Sequence, residues 1–110
     1  MDIAISAQGS VKVAAISGEV DLSTSPKVRD ALLECIFDGA SVVVDLSEVA
    51  YIDSSGVASL VEAFQAAKTR GLGFALANIG ETPLRVLKLA RLDKVFVIYD
   101  TVDLAVDALG

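Results

Sequence analysis

The sequence predicts an α/β fold, a mixed and mostly parallel sheet of about five strands with about four helices packed on it. Three observations lead there. Short apolar runs of strand length alternate with longer stretches whose apolar residues recur every three or four positions. Gly, Pro and Ser cluster at the joints between them. The first two strand-like runs are so close in sequence that only an antiparallel pair fits, whereas later strands are separated by helices and so pair in parallel.

In chain order, Ile3–Ala7 alternates weakly, as a short edge strand does, and Gln8-Gly9-Ser10 reads as a turn. Val11 to Ile16 forms a stronger strand, expected to stop at Ser17-Gly18. Ser25-Pro26 is a helix start: Ser25 can cap, and proline lacks only an amide that the first turn leaves unpaired. Val28, Leu32, Leu33 and Ile36 follow at helical spacing, up to Phe37-Asp38-Gly39. Ser41–Leu46 is apolar on both faces, the pattern of a strand covered on two sides.

A second helix opens at Asp53-Ser54-Ser55-Gly56, places Val57, Leu60, Val61, Phe64 and Ala67 on one face, and ends at Arg70-Gly71. Phe74–Ala77 is the next strand, and Asn78 to Pro83 the loop and cap of a third helix containing Leu84 and Leu87. Val95–Ile98 reads as the last strand and Thr101–Leu109 as a closing helix. The expected organisation is one domain over residues 1–110, with no linker or low-complexity tract.

Composition limits function. Hydrophobic residues make up 54% and charged residues 22%, a foldable balance, and the formal net charge is −6. That charge argues against nucleic acid and against an anionic membrane surface as partners. No apolar run reaches the ~20 residues of a membrane span, so no direct insertion is expected. The lone Cys35 forms no internal disulfide and reads as a small core residue; with no basic, apolar leader at the N-terminus, the cytoplasm is the expected location.

There is no histidine, which removes Ser-His-Asp and Cys-His machinery and the commonest transition-metal ligand. No thiolate zinc set and no phosphate-binding glycine loop occur, and Gly71-Leu72-Gly73 precedes a strand, the wrong context for a dinucleotide. Asp45 and Asp53 could in principle share a site, but nothing marks a cleft around them. The expectation is a non-enzyme with no cofactor and no metal.

What remains is the Asp53-Ser54-Ser55-Gly56 loop. As structure alone, Asp or Ser caps the helix and Gly56 allows close backbone approach. As function, the unpaired amides and positive dipole end of a helix start favour a phosphate. A phosphoserine there adds about −1.5 to −2 charges and three acceptor oxygens, felt by any partner packing on the loop.

Gly18-Glu19-Val20-Asp21, the run from Val42 through Asp53-Ser54-Ser55-Gly56, and the later Leu92-Asp93-Lys94-Val95-Phe96 segment together resemble the STAS-domain anti-sigma factor antagonists. The resemblance spans nearly the whole chain. It implies a single STAS domain whose unphosphorylated form binds an anti-sigma factor that is also a serine kinase, releasing the sigma factor. It further implies that the kinase modifies Ser54, the first hydroxyl after the motif aspartate, with Ser55 the second choice, and that a PP2C-type phosphatase reverses it. Asp21, Asp53 and Gly56 become the neighbours of the switch. The chain departs from the family where Val57-Ala58 replaces Leu-Gly, and where Arg91 replaces a common glycine, which weakens the third-helix cap.

On the second helix Ser59, Glu62, Gln65 and Ala66 are expected to face outward as partner contacts, and Tyr51 and Phe64 to pack near the loop. Arg85, Lys88 and Arg91 recur every three residues; the wet face of an amphipathic helix explains them, with a docking edge for an acidic partner the minority reading. Alternatives to the switch are an STAS adaptor subunit, as in a lipid-transport ATPase complex or a stress-signalling scaffold, and a small ligand- or nucleotide-binding domain. The sequence leaves open a homodimer.

Overall fold

The computed structural model describes residues 1–110. Its strands are β1 (Asp2–Gln8), β2 (Val11–Val20), β3 (Ser41–Ile52), β4 (Phe74–Ala77) and β5 (Val97–Tyr99). Its helices are α1 (Ser25–Phe37), α2 (Ser54–Thr69), α3 (Glu81–Leu89) and α4 (Val102–Leu109). The strands lie side by side in chain order in one sheet. β1 runs antiparallel to β2 across a turn at Gly9, whose φ of +64° suits glycine, and every later pair is parallel. This is the mixed α/β architecture that the alternation predicts.

Alternate side chains of β3 explain the two layers. Val42, Val44 and Leu46 join Ala14, Ile16, Val28, Leu32 and Leu60 in the main core beneath α1 and α2. Val43 points the other way, with Val11, Val13, Ala75 and Ala77, to meet Ala105 of α4. Cys35 is buried in the main core, as expected, and burial pushes its thiol pKa up. Phe64, Phe74 and Phe96 form an aromatic cluster with ring centroids 5.5–6.2 Å apart.

Four boundaries differ from the sequence expectation. β2 does not stop at Ser17-Gly18 but continues to Val20, because register shifts flanking this pair absorb the irregularity and Gly18 adopts φ +98°. β3 continues past Leu46 to Ile52, so β2 and β3 outrun β4, which pairs only with Val42–Asp45. Val95 and Phe96 close a turn on the Leu92 carbonyl, leaving the last strand to begin at Val97. Ser25 is the buried first residue of α1 and not its cap; the preceding Asp21–Thr24 turn organises that end instead.

Candidate functional site at the α2 entrance

The overhang of β2 and β3 places two loops side by side. Val20 pairs with Ile52, and the Asp53 amide donates to the Val20 carbonyl at 3.1 Å. The turn after β2 and the start of α2 therefore leave the same end of the sheet. Asp53 is the N-cap of α2, its Oδ1 accepting from the Ser55 amide at 2.9 Å and the Gly56 amide at 3.1 Å. Ser54 is the first helical residue and is exposed; Ser55 is half-buried.

This arrangement revises one expectation. Two of the amides that would greet a phosphate, those of Ser55 and Gly56, are already taken by Asp53, so a group on Ser54 lies next to a carboxylate with the Ser54 amide and the helix dipole in its favour.

Gly56 is the close approach. A Cβ there would sit 2.5 Å from Ile52 Cγ1 and 2.7 Å from Val20 Cγ1, so the first turn of α2 rests directly on both strand ends. That contact fixes where Ser54 emerges.

Asp21 builds the facing turn. Its Oδ1 accepts from the Ser23 amide at 3.0 Å, the Ser23 hydroxyl at 2.7 Å and the Thr24 amide at 3.1 Å. Thr24 Oγ1 accepts from the Asp21 amide and donates to the Glu19 carbonyl. The Ser23 hydroxyl, with the Ser23 and Thr24 amides, holds the Asp21 carboxyl below its ordinary value of 3.8. The turn displays Leu22 at 75% exposure, and Tyr51 on β3 is also exposed, so acidic and apolar groups share this surface.

Of the expected α2 contacts, Glu62 and Gln65 are exposed. Ser59 is not: it is 7% exposed, its hydroxyl facing the Ser25 carbonyl of α1 at 3.2 Å and the Ser55 carbonyl at 3.1 Å. Ala66 is half-buried and packs against the main core. Ser59 lies among the buried small residues Gly56, Ala63 and Ala67 of α2, and that run of small residues is the signal sequence reasoning missed. Ala58, one turn from Ser54, is exposed and joins the outward face instead. Phe64 belongs to the aromatic cluster, about 15 Å along the helix from Ser54, and not to the loop.

Asp45 and Asp53 do not meet. Asp45 binds the Ser47 amide and Asn78 Nδ2, and lies about 20 Å from Asp53 along β3. Of the basic residues, Arg85 pairs with Glu81 at 3.1 Å on the wet face of α3, and Arg91 lies beyond the helix at φ +60°, the left-handed position that suits glycine. The two cavities, one beside Glu81 and Arg85 and one beside Ile5 and Cys35, are about 170 Å³ each. That is small beside the ~300–1,000 Å³ of small-molecule sites, which disfavours a ligand-binding domain. No helix is long and apolar enough to cross a membrane.

Comparisons agree with this geometry. The STAS domain family model matches residues 2–105. An anti-sigma-B factor antagonist of Listeria monocytogenes is 31% identical over 84 residues, covering 76% of this chain and 74% of the relative. The anti-sigma-F factor antagonist RsfB of Mycobacterium tuberculosis is 28% identical over 100 residues, 90% of this chain and 81% of the relative. The crystal structure of an anti-sigma factor antagonist from Mycobacterium paratuberculosis superposes with a TM-score of 0.89 at 29% identity, over 98% of this chain and 92% of that one.

Proposed function

The chain belongs to the STAS domain family, and on that premise we propose that it is an anti-sigma factor antagonist whose partner binding is switched by phosphorylation of Ser54. The unphosphorylated form binds an anti-sigma factor that doubles as a serine kinase, and so frees a sigma factor. A PP2C-type phosphatase resets the modified form. The protein acts in the cytoplasm by binding and performs no catalysis of its own.

One observation carries the reading: Ser54 is the exposed hydroxyl at the mouth of α2, beside a carboxylate that already holds the Ser55 and Gly56 amides. A kinase can reach it without opening the fold. Once modified, Ser54 carries a phosphate of about −1.5 to −2 charge next to Asp53 and across from Asp21. A partner seated on this surface must then desolvate clustered negative charge, which costs affinity and leaves the core untouched. Ser55, half-buried and with its carbonyl facing the Ser59 hydroxyl, is the less accessible acceptor.

The test uses the cognate kinase and ATP. Mass spectrometry should find one added phosphate on Ser54. Ser54→Ala should lose the label and keep binding, whereas Ser54→Asp should bind more weakly while melting within about 1 °C of wild type. Label persisting in Ser54→Ala moves the acceptor to Ser55 or elsewhere. Equal binding by the two variants removes the switch and leaves an STAS adaptor.

A further inference from the structure

The two edges of the sheet are protected unequally. β5 is three residues long, and a short edge offers little to a pairing strand. β1 is seven residues long, its register with β2 unbroken from Asp2↔Ser17 to Gln8↔Val11. It contains no lysine, no proline and no bulge, the usual means of blunting an edge. Its only charge is Asp2, although the chain as a whole carries −6. One side of this strand hydrogen-bonds to β2; the other faces solvent with its backbone donors and acceptors open.

We propose that β1 is a self-association edge, pairing antiparallel with β1 of a second copy about a two-fold axis at Ile5. The charge pattern selects the occupant and the register. Centring on Ile5 is the one antiparallel alignment that pairs all seven residues, setting Asp2 against Gln8, Ile3 against Ala7 and Ala4 against Ser6. No like charges oppose each other in it, and the two Asp2 carboxylates lie about 20 Å apart at opposite ends.

The self-opposed residue is apolar. Ile5 is 44% exposed, on the α1 side of the sheet, where it lines a cavity of about 170 Å³ with Ala31, Cys35, Glu34 and the Lys12–Asp38 ion pair. Across the axis the two Ile5 Cβ atoms would stand about 5 Å apart, each covering the other's exposed half. Seven paired residues bury less than the ~1,200–2,000 Å² of a stable dimer, so the complex is a reversible one. The edge is separate from the Ser54 loop, and the inference stands or falls independently of the phosphorylation reading.

The experiment is sedimentation or light scattering of the purified chain from about 1 µM to about 1 mM. The mass should rise from 11.4 kDa toward twice that value. Ile5→Lys and Ile5→Glu should each remain monomeric across the range, with circular dichroism spectra like wild type, and their equimolar mixture should regain the dimer. Wild type needs no variant for a second measurement: hydrogen exchange at outward-facing β1 amides should slow several-fold between the two concentrations. A wild-type monomer at 1 mM overturns the inference. So does a dimer unchanged by Ile5→Lys, or one whose β1 amides exchange at the same rate throughout.

Discussion

Gly56→Ala tests whether the α2 entrance is held by contact. The new Cβ would lie 2.5 Å from Ile52 Cγ1, 2.7 Å from Val20 Cγ1 and 3.1 Å from Ile52 Cδ1. Carbon pairs are comfortable at about 3.5–4.0 Å, so two of these contacts are short by roughly 1 Å. Neither neighbour can swing into solvent, since Val20 is 1% and Ile52 2% exposed. Overpacking of this kind costs about 1–3 kcal/mol. Alanine recovers at most about 1 kcal/mol of helix propensity over glycine. The net expectation is a loss of about 1–2 kcal/mol, a melting temperature lower by about 4–8 °C at this chain length. Thermal and urea unfolding measure it. Val20→Ala removes the atom 2.7 Å away, so the Val20→Ala/Gly56→Ala double variant should lose less than the sum of the single losses. Gly56→Ala as stable as wild type, or strict additivity, would refute the contact as what fixes Ser54.

Arg91→Gly should stabilise by about 0.5–1 kcal/mol, since φ +60° strains a side chain and glycine returns only part of that gain as unfolded-state entropy; a raised urea midpoint checks it. Ser59→Ala should cost about 1 kcal/mol by removing the hydroxyl that bridges to the Ser25 carbonyl, read in the same titration. Asp21 has its folded pKa lowered, so its stabilisation is present above the unfolded value near 3.8 and is lost as pH falls through the folded value. The urea midpoints of wild type and Asp21→Asn should therefore differ at pH 6 and converge as pH drops below about 4.

The parts of the fold written in local periodicity were legible. The limits of β4 and the end of α1 follow from apolar spacing and Gly39, and the order of elements follows from their alternation. Two kinds of information were not local. Ser17-Gly18 has turn composition, yet parallel pairing with β3 carries β2 through it, because glycine accommodates the bulge that the neighbouring strand imposes. Ser59 has the polarity of a surface residue, and only a helix 34 positions earlier in the chain turns it into a buried link. At the candidate site, the Asp53-Ser54 cap was readable from residue type alone. That Asp53 would consume both the Ser55 and the Gly56 amides required the geometry.

The capped entrance of α2 has an implication for how information leaves this molecule. On the proposed reading, a mark placed on Ser54 meets a helix start whose Ser55 and Gly56 amides are already bound to Asp53. On that reading the message is carried as a change in the electrostatic face offered to a visitor, read at the moment of collision. The outline and polarity of one corner of the sheet must then stay matched to the molecules that inspect it, and so must the buried Val20, Ile52 and Gly56 contact that seats this corner.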